Sequence, residues 1–143
     1  MNELDQFVKH VLKIKYYVRY CDDFVILEND KEKLVTYIRD IGIFLGKTLG
    51  LKLHPNKVSI QKIYQGVDFL GYVVFPYHKI LRTKTKRRML RKIEGLCIGV
   101  EKGVVAKDFF DSSVQSYLGM LKHCKGHKLE RKVRFIISNH VVG

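Results

Sequence analysis

The chain has 143 residues, 46% of them hydrophobic, and a net charge of +13 from 27 Lys and Arg against 14 Asp and Glu. That length buries one ordinary core, which excludes both an unstructured peptide and a large multidomain machine, and the basic excess points to a polyanionic partner such as nucleic acid. No apolar run approaches the ~18 residues of a spanning helix and the acidic N-terminus has no signal-peptide core, so the expectation is a cytoplasmic protein with no membrane partner.

In chain order, Leu4, Phe7, Val8, Val11 and Leu12 form the apolar stripe of an amphipathic helix over 3–13. Two runs rich in β-branched and aromatic residues come next, Tyr16 to Tyr20 and Phe24 to Leu27, and the Cys21-Asp22-Asp23 between them predicts a β-hairpin. Asn29 with Glu32 reads as an N-cap and its capping partner, and Leu34, Ile38, Ile41 and Leu45 continue one helical face to Gly50. After a turn at His54-Pro55-Asn56, short strands are expected at Lys57–Ile60, Gly66–Leu70 and Tyr72–Phe75, with Gly71 as a kink or bulge. Beyond Pro76 the composition shifts. Lys79, Arg82, Lys84, Lys86, Arg87, Arg88, Arg91 and Lys92 crowd into a stretch with no acid, and three apolar faces lie beyond it: Met89/Ile93/Leu96/Val100, Val114/Tyr117/Leu118/Leu121 and Leu129/Val133/Ile136/Ile137. The expected fold class is α+β, with a mixed unit over 1–77 and a small helical bundle over 78–143.

The acid pair at the hairpin tip carries the sharpest chemistry. Adjacent carboxylates repel, and an isolated Asp-Asp is usually a solvated turn. Held rigidly between two strands, the same pair supplies hard oxygen ligands for Mg²⁺, which binds few carboxylates and completes its shell with water and phosphate oxygens. Tyr20-Cys21-Asp22-Asp23 between apolar strands resembles the catalytic hairpin of reverse transcriptases. The likeness extends in order through His54-Pro55-Asn56-Lys57, Phe69-Leu70-Gly71-Tyr72 and Ser116-Tyr117-Leu118-Gly119-Met120-Leu121-Lys122-His123. It spans essentially the whole chain and points to the bacterial branch that contains group II intron-like and diversity-generating elements.

The resemblance implies a partial polymerase palm followed by a helical thumb, together acting in RNA-directed DNA synthesis. Asp22 and Asp23 would hold the catalytic Mg²⁺, or Mn²⁺ in its place, and Tyr20 would lie near the primer terminus. Lys57 would neutralise or protonate the pyrophosphate leaving group. Phe69, Leu70, Gly71 and Tyr72 would form the primer grip, where a glycine permits close backbone approach. The cations from Lys79 to Lys92 would meet the phosphates of the RNA template and DNA primer duplex in a salt-dependent manner, and deoxynucleoside triphosphates would be the substrates.

Only roughly twenty residues precede Asp22, whereas the family places fingers and a further palm aspartate before this hairpin. The expectation is therefore a fragment that does not polymerise alone, either completed by a separate fingers and palm polypeptide or a degenerate or truncated product, between which the sequence does not choose. Two readings from other classes stand beside it. One is a non-catalytic nucleic-acid-binding module, for which Gly71-Tyr72-Val73-Val74-Phe75 partly matches an RNA-recognition motif, although Asp68-Phe69 replaces its basic-glycine pair. The other is a remnant that dimerises through unpaired strand edges. Cys21, Cys97 and Cys124 are odd in number and far apart, as reduced thiols of a cytosol are. His123, Cys124 and His127 lack a second ligand pair at zinc spacing, so no zinc site is expected.

Overall fold

A computed structural model describes residues 2–141 of the chain. Two compact units emerge, Met1–Lys62 and Ile63–Gly143, and both combine helices with short antiparallel strands, so the chain is α+β as its sequence implies. This packing boundary falls before the expected break near Pro76, because the second group of strands packs with the helices of the C-terminal part.

The first unit opens with helix α1 (Asn2–Gln6), which continues through a wider π-type turn, Phe7–Val11, closed by the Leu12 amide donating to the Phe7 carbonyl. Leu4 and Val8 are fully buried, but Val11 is 65% exposed. The regular stripe predicted over 3–13 fails at Val11 because a π-turn holds an extra residue and rotates the end of the segment out of register with a 3.6-residue face. Strands β1 (Tyr16–Tyr20) and β2 (Asp23–Leu27) pair antiparallel as expected, from Tyr16 opposite Leu27 to Tyr20 opposite Asp23. Helix α2 (Lys31–Phe44) is capped by Asp30, not Asn29: the Asp30 carboxylate accepts from the Glu32 and Lys33 amides. A π-type turn, Leu45–Leu49, extends it to Gly50, whose φ of 63° supplies the left-handed residue that ends the helix. The core of this unit joins Leu4, Val8, Ile14, Ile41 and Leu45, with Phe7 stacked on Phe44 at 4.2 Å and Tyr17, Phe24 and Ile26 of the hairpin laid over it.

The strand expected at Lys57–Ile60 is absent. Pro55–Lys57 form a 3₁₀ turn and the residues after it run irregular and exposed. Their β-branched character suggested a strand, yet a strand exists only with a partner, and the sheet of the first unit consists of β1 and β2.

The second unit begins with β3 (Val67–Phe69), β4 (Tyr72–Val74) and β5 (Lys79–Leu81), an antiparallel meander. Gly71 is not a bulge. It forms, with Leu70, the two-residue turn of the β3–β4 hairpin, and φ values of 52° and 83° at the pair are those of a type I′ turn. Strand β5 lies inside the basic run, where the sequence carried no strand signal. Helices α3 (Thr83–Glu101), α4 (Lys107–Lys122) and α5 (His127–Val141) complete the unit. Their apolar faces meet as predicted, in a core of Met89, Ile93, Leu96, Cys97, Phe110, Val114, Leu118, Leu121, Leu129 and Val133.

Candidate active-site hairpin and nucleic-acid surface

The hairpin β1–β2 carries Asp22 in its turn and Asp23 at the first position of β2, opposite Tyr20. Tyr20, Cys21, Asp22 and Asp23 are all exposed. Neither carboxylate makes an ion pair among the described residues, so both are available to a cation from solvent. Cys21, the first turn residue, has φ 51°. A two-residue turn of type II′ takes glycine at that position, and a side chain there costs ~1–2 kcal/mol. The tip is therefore held in a conformation that its own sequence disfavours.

The holding groups lie on the inward side of β1 and on α1. Arg19 donates from Nε to Asp5 Oδ1 at 2.8 Å and from Nη2 to Asp5 Oδ2 at 2.5 Å, while its Nη1 donates to the Cys21 carbonyl at 2.7 Å. Tyr17 adds its hydroxyl to Asp5 Oδ1 at 2.8 Å. The Asp5 carboxyl is held at about 2, chiefly by the Arg19 hydrogen bonds and further by Tyr17. The Tyr17 hydroxyl is pushed up to about 12, by burial first and then by its bond to Asp5. Neither Asp5 nor Arg19 was singled out in the sequence. The one available signal was alternation, which puts Tyr17 and Arg19 on one face of β1 and Tyr16, Val18 and Tyr20 on the other.

Lys57 sits exposed on the 3₁₀ turn of the same unit, its amide bonded to the His54 carbonyl at 2.9 Å, and no bond joins it to the hairpin tip among the described residues. In the second unit, Phe69, Leu70, Gly71 and Tyr72 form the β3–β4 turn and its flanks. This turn is firmly mounted: the Gly71 carbonyl accepts from the Arg82 amide at 2.9 Å, and the Tyr72 hydroxyl donates to the Met120 carbonyl at 3.1 Å. Burial raises the Tyr72 pKa.

The predicted cations divide into two groups. Lys84, Lys86, Arg87, Arg88, Arg91 and Lys92 are exposed on the first half of α3 and make no ion pair among the described residues. Arg82 instead meets Asp68 at 3.1 Å, and Lys79 lies over the Tyr72 ring at 5.4 Å. A further set emerges only from the fold. The Lys125 amide donates to the Lys79 carbonyl, near the starts of α5 and α3, and His140 meets Glu101 at 2.8 Å, near their ends. These two helices thus run parallel and pack directly on each other, with α4 running back in the chain between them. The cations of early α3 gather at one end of the unit with Lys122, Lys125, Lys128, Arg131 and Lys132, all exposed, whereas Glu101, Asp108 and Asp111 lie at the other. Sequence separation of about forty residues hid this polarity.

Residues 1–74 match the reverse transcriptase (RNA-dependent DNA polymerase) family. The chain belongs to that family. It is also similar to a COX1/OXI3 intron 2 protein of Saccharomyces cerevisiae, with 38% identity over 66 residues, covering 43% of this chain and 7% of that protein. The chain thus spans only a small part of the length of this relative. Membership in this family does not favour the RNA-recognition-motif reading. No described helix is long and apolar enough to cross a membrane.

Proposed function

We propose that this chain supplies the metal-binding hairpin and the primer-duplex surface of an RNA-directed DNA polymerase of the intron-encoded kind. The observation that carries the reading is the exposed Asp22-Asp23, in no ion pair among the described residues, at the tip of the β1–β2 hairpin inside the segment that matches the family. Two adjacent carboxylates fit Mg²⁺ or Mn²⁺, which need few protein oxygens and keep water and phosphate ligands for the remainder. Once bound, the ion would supply charge neutralisation and alignment for phosphoryl transfer.

The other roles belong to residues of the chain itself. Tyr20 packs beside the primer end, and the backbone at Leu70-Gly71, flanked by Phe69 and Tyr72, grips the primer strand. Lys57 offsets charge on the leaving pyrophosphate. The exposed cations of α3, which belong to the thumb in this reading, bind phosphates of the RNA/DNA duplex, and the palm ends near residue 77. The reaction requires fingers and a further acid in addition to these residues, so the isolated chain is expected to bind template-primer without extending it.

The test is binding of the full chain to a fluorescent RNA/DNA template-primer across a salt series, beside Mn²⁺-induced broadening of the Asp22 and Asp23 amide resonances. An Asp22→Asn/Asp23→Asn variant should keep its duplex affinity and lose the broadening. Broadening that persists in the variant removes the metal assignment. A wild-type chain that ignores duplex at low salt removes the nucleic-acid surface.

A further inference from the structure

The Asp5, Arg19 and Cys21 contacts form one continuous bridge from α1 to the turn that carries the acids, and we infer that Asp5 and Arg19 are positioning residues for the Asp22-Asp23 pair. The inference rests on the metal-site reading above and adds the parts that hold the site in shape. A guanidinium has a fixed planar fork of donors. Here two of its nitrogens chelate the Asp5 carboxylate and the third reaches the Cys21 carbonyl. The chelation orients the third donor, and that donor holds a carbonyl whose residue is in the left-handed region at φ 51°. Without it, the turn has a costly conformation and no side-chain bond to maintain it.

Asp5 has a second effect. Arg19 lies three residues before Asp22, close enough in sequence to be drawn to the acids. Pairing with Asp5 satisfies its charge, which leaves both tip carboxylates open to a metal ion. Tyr17 completes the carboxylate's shell from β1, so the Asp5 side chain, one-quarter exposed, is met by three donors. The bridge thus does two things at once: it fixes the turn and keeps a competing cation away from it.

A plain ion pair between α1 and β1 would stabilise the unit without shaping the tip, and a charge swap separates the two roles. Asp5→Arg/Arg19→Asp keeps opposite charges between helix and strand, but an aspartate at 19 cannot donate to the Cys21 carbonyl. Arg19→Lys keeps the cation while removing the fork. In the isotopically labelled full chain, the Cys21 backbone torsion from scalar couplings and chemical shifts, and nanosecond mobility at Tyr20 to Asp23, report the turn directly. The Leu4 and Val8 methyl shifts report the fold. Both variants should retain the core shifts, lose the left-handed Cys21 signature, gain mobility at the tip and weaken Mn²⁺ broadening of Asp22 and Asp23 about tenfold. A rigid tip with Cys21 still left-handed in the swap overturns the inference. If the swap unfolds, Arg19→Lys decides by the same torsion. If the wild-type chain shows no Mn²⁺ effect, the metal reading falls alone, while the Cys21 torsion still tests the bridge.

Discussion

The cations of α5 offer the most direct test of the polarised second unit, since only the fold brings them to the same end as those of α3. The perturbation is Lys128→Gln/Arg131→Gln/Lys132→Gln, at three exposed positions where glutamine retains helix propensity. Each phosphate neutralised on a duplex contributes ~0.9 to the slope of log affinity against log salt. If all three side chains meet phosphates, the slope should become shallower by about 2.7. Over a fourfold rise in salt, the wild-type chain would then lose on the order of 40-fold more affinity than the variant. Anisotropy titrations with one labelled RNA/DNA duplex at several salt concentrations measure this. Lys102→Gln/Lys107→Gln, at the opposite end of the unit, is the control and should leave the slope nearly unchanged. An unaltered slope in the α5 variant, or an equal change in the control, refutes the two-helix surface and leaves net charge alone as the source of binding.

Packing and titration give the other expected outcomes. The Asp5 carboxyl is depressed from 3.8 to about 2, so its stabilisation is complete above ~pH 4 and lost as pH falls toward 2. With solvent screening it amounts to about 1 kcal/mol, and urea denaturation should show Asp5→Asn less stable near neutrality with a flatter acid limb. Tyr17, raised from 10 to about 12, acts in the opposite direction. Its contribution is full below pH 10 and disappears between 10 and 12, and Tyr17→Phe should remove that alkaline loss from the denaturation profile. Ile93 is fully buried among Met89, Leu96 and Val133; Ile93→Ala should cost ~2–5 kcal/mol in chemical denaturation, without changing the Asp22 and Asp23 resonances if the first unit holds its own core. Gly71→Ala meets no steric block, its nearest side-chain neighbour being Thr85 at 3.5 Å, but φ +83° makes it cost ~1–2 kcal/mol, seen as a lower melting temperature.

Much of the fold was legible because local and tertiary preferences agree. The hairpin at Tyr16–Leu27, Ile41 and Leu45 of the α2 face, and the three apolar faces of the bundle come directly from periodicity, while α2 otherwise meets its core through Tyr37 and Phe44 rather than Leu34 and Ile38. The failures have separate physical causes. Val11 left the core because the helix widens into a π-turn, a change that side-chain periodicity does not encode. Val58 and Ile60 have strand-like character but no partner strand, and β5 has a partner but little strand-like character. Asp30 displaced Asn29 as the cap because either type suits the position, and one residue of register decides between them. At the site, Asp22 and Asp23 stood out as adjacent acids in a turn. Asp5 and Arg19 did not, because an acid on a helix and a base on a strand are ordinary surface residues until the fold joins them.

The charge pattern of the second unit also argues for a ligand. Helix α4 has a mixed first turn, with Asp108 beside Lys107, and ends on Lys122, which accords with its dipole. Helix α3 opposes its own: its first turn contains Lys84 and Lys86 and no acid. Arg87 with Arg91, and Arg88 with Lys92, then place like charges at four-residue spacing, each pair unfavourable by a few tenths of a kcal/mol. Together with ~0.3–1 kcal/mol for each cation at the positive end of the dipole, the early part of α3 is strained electrostatically by about 2 kcal/mol. Its opposite face carries Met89, Ile93, Leu96 and Cys97 into the core, and that burial keeps the helix formed. A polyanion laid along the charged face would add attractions that offset these unfavourable terms. The residue that precedes the same helix, Arg82, has its amide bonded to the Gly71 carbonyl, so phosphates bound along α3 would be held in fixed relation to the β3–β4 turn. The crowded cations oppose folding and are offset only when phosphates neutralise them, while the Arg82–Gly71 hydrogen bond that stabilises the fold also fixes where those phosphates would lie.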